Sequence, residues 1–228
     1  MFNLVYQKLY SAFGRQGWWP LTVRGYESKH YSGRPRNKKH RFEICIGAIL
    51  TQNTNWKNVE KALYNLNKNN LIDIKKICKI KKERLARLIK SAGYYNQKAE
   101  RLKVFSRYIL DNYGGDIGLF LNQQIGKLRE ELLSIKGIGP ETADSIILYA
   151  AEKPIFVIDA YTVRVFNRLG FKAKDYSDWQ ILFMSNLKKD LTLFKEYHAL
   201  LVRLGKEYCK KKPDCKCCPL FIFCKFKG

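Results

Sequence analysis

Apolar residues recur at spacings of three and four along most of this chain, which is the period of helices with one buried face. Glycine follows several of these stretches and is a typical helix stop signal. Only the apolar run PIFVI at 154–158 has the length and composition of a strand. The pattern predicts an all-α protein with helices over 56–66, 82–93, 98–115, 141–152, 159–170, 178–189 and 194–208.

The predicted helices divide into two lobes, because Pro154 lies in a short apolar link between them. We predict an inner helical-bundle domain of residues 30–152 and a terminal domain made of 1–29 and 153–228. The basic, turn-rich stretch 24–41 is predicted to be an exposed loop. A chain of 228 residues can bury a sizeable core, so folding needs no disulfides.

The charge is strongly positive, with 43 Lys and Arg against 20 Asp and Glu and a formal net charge of +23. Such a field attracts polyanions. Interleaved aromatic residues and the lack of an amphipathic anchor favour nucleic acid over a membrane surface, while a compositional bias is the alternative source of the charge. With no bilayer-spanning run and no signal-peptide pattern, we expect a soluble, cytoplasmic monomer.

The segment LLSIKGIGPETADSIILYA (132–150) has the pattern of a helix-hairpin-helix. Gly137 and Gly139 allow positive φ and let backbone N–H groups approach a phosphate, while Ile138 packs between the helices. With Lys136, the hairpin would grip a DNA backbone without reading its sequence. An ordinary pair of helices with glycine caps is the alternative.

Three further segments extend this picture: ILTQNTNWKNVEKAL (49–63), IKSAGYYNQKAERL (89–102) and VIDAYTVRVFNRLG (157–170). Together with the hairpin they resemble the endonuclease III superfamily of helix-hairpin-helix DNA glycosylases over nearly the whole chain. The resemblance implies a two-lobed helical enzyme of base excision repair. Its substrate would be double-stranded DNA from which a damaged base is flipped out and released.

Glu141 departs from the pattern of the bifunctional members, in which a lysine at this position attacks the sugar. A carboxylate cannot form a Schiff base, so the expected enzyme is monofunctional and leaves an intact abasic site. An acid in the first turn of a helix is also favoured by the helix dipole, whatever the chemistry. The alternatives are an endonuclease III-type glycosylase and lyase that uses another amine, and a non-catalytic DNA-binding protein.

By the same resemblance, Asp159 matches the catalytic aspartate of the family. Cleavage of the N-glycosidic bond passes through a sugar like an oxocarbenium ion, which a nearby carboxylate stabilises. It can also orient or deprotonate the attacking water. A plain helix N-cap is the alternative role. The histidines, His30, His40 and His198, have no ligand spacing and need no catalytic role.

The segment WWP at 18–20 and the aromatic residue that follows Gln52 are similar to the 3-methyladenine DNA glycosylase III branch. The resemblance implies that Trp19, Pro20 and Trp56 hold an alkylated purine. Such a base is a cation, which each aromatic face attracts by about 0.5–2 kcal/mol. It also departs without a general acid. We expect Trp18 in the core.

Gln52 and Tyr94 match family residues that fill the gap left by the flipped base. A polar loop and a buried tyrosine would explain these two residues equally well. The lesion implied by the resemblance of the aromatic pocket is an alkylated purine similar to 3-methyladenine.

Five cysteines crowd into 209–224, in a chain that does not suggest disulfides. Four of them resemble the family's iron–sulfur loop, although the first gap is one residue shorter. The resemblance implies a structural [4Fe-4S] cluster that supports a basic loop, with zinc as the alternative and Cys217 as an extra thiol. Cys45 and Cys78 are predicted core residues. The implied ligands are Cys209, Cys215, Cys218 and Cys224.

Overall fold

The computed structural model describes residues 1–31 and 33–226, and it is mostly helical. This confirms the predicted fold class. Its helices are α1 (Phe2–Phe13), α2 (Lys38–Thr51), α3 (Trp56–Lys68), α4 (Ile74–Lys79), α5 (Lys82–Leu88), α6 (Tyr95–Tyr113), α7 (Ile117–Leu121), α8 (Ile125–Ser134), α9 (Pro140–Ser145), α10 (Ala160–Arg168), α11 (Tyr176–Asn186) and α12 (Leu191–Glu207). A π-helical turn, Ile146–Ala150, continues α9.

Side-chain caps fix where many of these helices begin. In each case an Asn or Asp accepts a hydrogen bond from a backbone N–H of the first turn, which has no partner inside the helix. These caps are Asn37 for α2, Asn55 for α3, Asp73 for α4, Asp116 for α7, Asp159 for α10, Asp175 for α11 and Asp190 for α12.

Two strands, β1 (Pro20–Thr22) and β2 (Ser28–Tyr31), form a short antiparallel hairpin. Pro20 pairs with Tyr31, and Leu21 pairs with His30. The prediction of an exposed loop over 24–41 was therefore wrong for β2 and for the first turns of α2. Ser32, in the same stretch, lies outside the described residues.

The run 154–158, which alone has the length and composition of a strand, lies in neither a strand nor a helix. Its backbone is bonded by side chains of α11 instead of a neighbouring strand. Gln180 donates Nε2–H to the Phe156 carbonyl at 2.7 Å, and Ile158 donates its N–H to the Tyr176 hydroxyl at 3.4 Å. The apolar side chains serve the core, where Phe156 stacks on Phe183 with ring centroids 4.3 Å apart.

The chain divides into two compact units, which we call the terminal unit (Met1–Trp18 and Pro154–Gly228) and the inner unit (Trp19–Lys153). In the terminal unit α1 and α10 both pack on α12. In the inner unit α2 lies at the centre and is buried over most of its length. The domain boundaries drawn from the sequence, 29/30 and 152/153, stay a prediction.

A buried lysine, Lys98 on α6, links two other segments of the inner unit. Its ammonium donates to the carbonyls of Leu50 at 2.9 Å and Ala92 at 2.7 Å. Burial, with a smaller contribution from the charge of Arg101, lowers the pKa of Lys98 to about 8. The side chain thus satisfies carbonyls at the ends of two helical segments. None of the described helices combines the length and apolar character needed to span a membrane.

Candidate DNA-binding hairpin and active site

The hairpin joins α8 to α9 through residues 135–139. Gly137 has φ +94°, in the region that favours glycine. Gly139 is the N-cap of α9 with φ −94°, so the expectation of two positive φ values was wrong for this glycine. Ile138 is buried and Lys136 is exposed, as a turn packed on one side and open to solvent on the other requires.

Residues from two other parts of the inner unit hold this turn. Gln52 donates Nε2–H to the Gly137 carbonyl at 3.1 Å and to the Thr142 hydroxyl at 2.9 Å. Arg101, on α6, donates to the Oε1 atom of Gln52. A Cβ on Gly137 would stand 2.6 Å from Cγ of Arg101. Gln52 therefore stabilises the hairpin. The sequence around Gln52 did not predict this contact.

Replacing Gly137 with Ala is expected to lower the free energy of unfolding by roughly 2–3 kcal/mol, because positive φ and the contact with Arg101 both oppose a side chain. Gly139→Ala is the matched control. Its φ is ordinary, a Cβ there meets nothing within 4 Å, and the loss of the N-cap glycine costs under about 1 kcal/mol. Urea unfolding measures both variants, and an equal loss of stability in the two would contradict the structural role of Gly137.

Glu141 follows Pro140 in the first turn of α9, and its side chain is exposed. The carboxylate therefore lies at the positive end of the helix, where the macrodipole favours it. The side chain is thus not part of the buried core of the inner unit.

Asp159 is a buried carboxylate in the terminal unit, with 7% of its surface exposed. Its Oδ1 atom accepts the N–H of Thr162 at 2.7 Å and so caps α10. Its Oδ2 atom lies 3.8 Å from Nε2 of His198, on α12. One oxygen is engaged by the helix while the other faces the imidazole.

His198 was set aside in the sequence because no ligand spacing pointed to it, yet the fold brings it to Asp159. Burial lowers the pKa of His198, the negative charge of Asp159 opposes this shift, and the charge of Lys206 adds to it. A pKa below 6.5 leaves the imidazole neutral at neutral pH. The charge of Asp159 is then not cancelled by this neighbour, as electrostatic stabilisation of a cationic sugar requires.

The aromatic residues of the candidate base pocket differ from the expectation. Trp19 is 5% exposed and Trp56 is 8% exposed, and their rings meet edge to face with centroids 5.3 Å apart. Trp19 also contacts Tyr149 and lies on Gly47, where a Cβ would be 2.9 Å from its ring. Trp19 is thus packed in the core of the inner unit. Trp18, expected in the core, is only half-buried.

Tyr94 precedes α6 and has 66% of its surface exposed, so the alternative of a buried tyrosine was wrong. Its backbone is left-handed, with φ 44° and ψ 34°. A bulky residue in this region is strained by about 1–3 kcal/mol, and such strain is concentrated at functional sites. The conformation presents an aromatic ring to solvent.

The cysteine loop begins where α12 ends. Cys209 is buried, Cys215, Cys218 and Cys224 are half-buried, and Cys217 is exposed. Burial raises the pKa of the Cys218 thiol, and the charges of Cys209, Cys224 and Cys215 raise it further. Cys45 and Cys78 are buried in α2 and α4, as expected.

Arg168, on α10, forms hydrogen bonds with this loop. It donates to Sγ of Cys209 at 3.1 Å and to the Lys210 carbonyl at 2.8 Å. Its own carbonyl accepts the Lys225 N–H at 3.0 Å. Within the ranges that the structure describes, no three His, Cys, Asp or Glu residues are grouped closely enough to hold a single metal ion.

Comparison with known proteins identifies the family. The model of the HhH-GPD superfamily of base excision DNA repair proteins matches residues 46–189. The chain is 43% identical to a candidate DNA repair glycosylase of Methanocaldococcus jannaschii, over 100% of this chain and 97% of that protein. It is 32% identical to an endonuclease III of Thermotoga maritima, over 84% of this chain and 87% of the relative.

The fold is similar to the crystal structure of the H. pylori 3-methyladenine DNA glycosylase bound to 1,N6-ethenoadenine. The TM-score is 0.72 and the sequence identity 28%, over 90% of this chain and 97% of that one. The chain therefore belongs to the HhH-GPD superfamily, and it is a DNA glycosylase of base excision repair. This confirms the resemblance found in the sequence.

Proposed function

We propose that this glycosylase is monofunctional and releases alkylated purines from double-stranded DNA. The observation that carries the proposal is the exposed Glu141 at the start of α9, the position that holds the nucleophilic lysine in bifunctional members of the family. Without an amine there, the sugar is attacked by water, and the product is an intact abasic site. The similarity to a 3-methyladenine glycosylase supports the substrate class.

In this proposal Asp159 is the catalytic residue. One oxygen of its buried carboxylate is held by the N–H of Thr162, and the other faces His198. As the bond to the base breaks, positive charge develops on the sugar and the carboxylate stabilises it. The bond electrons leave with the base, which is already a cation and so needs no proton from the enzyme.

Recognition of a cationic base requires accessible aromatic faces. Trp19 and Trp56 are expected from the resemblance to supply them together with Pro20. All three residues are buried, with Trp19 packed on Gly47, so their contact with a base stays a prediction. Lys136 and the N–H groups of the hairpin bind phosphates. Tyr94 fills the gap that the flipped base leaves in the duplex.

The experiment is incubation of the enzyme with randomly methylated duplex DNA and with duplexes that carry one oxidised pyrimidine. Free bases and strand breaks are assayed separately. Release of methylated purines without breaks is the expected result. Cleavage of the oxidised-pyrimidine duplex, with no purine released, would overturn the proposal and favour the endonuclease III-type activity that the Thermotoga maritima relative suggests.

We further propose that Cys209, Cys215, Cys218 and Cys224 ligate a [4Fe-4S] cluster, which when bound supplies a structural crosslink to the loop. The donor set fits in its chemistry, because four cysteine thiols, one buried and three half-buried, share the loop 209–224 while Cys217 is exposed. Four cysteine thiolates would suit either a [4Fe-4S] cluster or zinc, so the metal content of the purified protein distinguishes the two.

Replacing Cys218 with Ser is expected to reduce the iron content of the purified protein and its visible absorption strongly, since a ligand is lost. Cys217→Ser is the matched control and should keep both, because this exposed thiol is not a proposed ligand. Metal analysis and absorption spectra measure the outcome. Zinc in place of iron in the unaltered protein, or iron lost equally from both variants, would contradict the assignment.

A further inference from the structure

Two buried glutamates bind the backbone on either side of residues 18–20. The first is Glu196 on α12, which is 5% exposed. Its Oε2 atom accepts the N–H of Gln16 at 2.6 Å, and its Oε1 atom accepts the N–H of Gly17 at 2.9 Å. One carboxylate thus holds two consecutive peptide groups immediately before Trp18.

The second is Glu43 on α2, which is fully buried. Its Oε1 atom accepts the N–H and the hydroxyl of Thr22, each at 2.9 Å, and the hydroxyl of Ser28 at 3.0 Å. Asn67 donates to Oε2 at 3.4 Å. This carboxylate therefore fixes the β1–β2 hairpin, which begins at Pro20.

Both carboxylates are bound by hydrogen bonds and not by ion pairs. In the described part of the chain, neither forms an ion pair with a basic side chain. A buried carboxylate is costly unless several donors converge on it, and backbone N–H groups bound to a charged acceptor form strong bonds. The donors at Gln16, Gly17 and Thr22 include main-chain N–H groups. The two carboxylates therefore fix the backbone on each side of residues 18–20.

We propose that Glu196 and Glu43 are positioning residues for recognition of the damaged base, each acting within its own unit on one end of residues 18–20. This inference rests on the proposed function, in which residues 18–20 contact the flipped base. Stacking on a base depends on where the ring lies, and a displacement of about 1 Å at a reacting centre can lower a rate by about a hundredfold. A surface contact to phosphates tolerates such a displacement much better.

The first variant is Glu196→Gln. The amide has the shape of the carboxylate but only one oxygen, so its NH₂ group faces one of the two N–H donors and that bond is lost. The matched control is Glu207→Gln on the same helix, where the glutamate is exposed and pairs with Arg203 at 3.0 Å. Glu43→Gln tests the other end of the segment independently.

The single-turnover excision rate is measured on whichever lesion the unaltered enzyme excises fastest. An error in the proposed lesion class therefore leaves this test intact. Affinity for an undamaged duplex and the melting temperature are measured in parallel. Glu196→Gln and Glu43→Gln are expected to slow excision about tenfold to a hundredfold, with duplex affinity unchanged within about twofold. Glu207→Gln should excise at the rate of the unaltered enzyme.

Excision at the unaltered rate by a folded Glu196→Gln or Glu43→Gln variant would overturn the proposal. So would a loss of excision matched by an equal loss of duplex affinity or of folded protein, because the carboxylates would then serve only the general stability of the units. If Glu196→Gln fails to fold, Glu43→Gln is judged by the same criteria. Glu196→Asp is then compared with the unaltered enzyme, to measure how much of the excision rate a shorter carboxylate supports.

Discussion

Asp159→Asn is expected to lower the single-turnover rate of base excision by roughly 10²–10³-fold, since one preorganised charge is removed from the developing cation. The substitution suits this purpose because Asn caps a helix about as well as Asp does. The bond from the Thr162 N–H to Oδ1, 2.7 Å in the unaltered protein, can therefore persist. The change removes the charge with little effect on α10.

Asp175→Asn is the control for this experiment. Asp175 caps α11 in the same unit, accepting the N–H of Asp178 at 3.0 Å, and has no proposed part in catalysis. Both variants should melt within a few degrees of the unaltered enzyme, and only Asp159→Asn should lose excision. An Asp159→Asn enzyme that excises within twofold of the unaltered rate would reduce Asp159 to an N-cap and favour a role confined to DNA binding.

Periodicity predicted the helices whose buried faces repeat with the helical period, and it did not predict α1, α2, α4, α7 or α8. The stretch 56–66 lies within α3, while 98–115 overlaps α6 and 194–208 overlaps α12. The same logic failed for 154–158, since an apolar run reports burial and not the hydrogen-bond partner. There the partners are side chains of α11, which no local pattern reveals.

The candidate site shows the same division between local and tertiary information. The hairpin could be predicted from adjacent residues, but its brace from Gln52 joins positions far apart in the sequence. The proximity of His198 to Asp159 depends likewise on how α12 packs on α10. Trp18 and Trp19 are identical neighbours, so only the packing against Gly47 shows which of the two enters the core.

Glu141→Lys is expected to create a covalent intermediate that the unaltered enzyme does not form. On a duplex with an abasic site, the amine adds to the sugar aldehyde, water leaves, and the resulting imine is trapped when borohydride reduces it to a stable amine. The loss of a negative charge at the start of α9 should cost about 0.3–1 kcal/mol through the helix dipole. Denaturing gels would show the adduct, and nicked strands where borohydride is omitted.

The matched control is Glu130→Lys, which makes the same charge change at an exposed position of α8. It should give no adduct, so that added basic charge alone is excluded as the cause. An adduct formed by the unaltered enzyme would show that another amine replaces the missing lysine, and monofunctionality would be wrong. If Glu141→Lys gives no adduct while duplex affinity is retained, position 141 lies away from the sugar. Glu141 would then owe its place to the helix dipole alone.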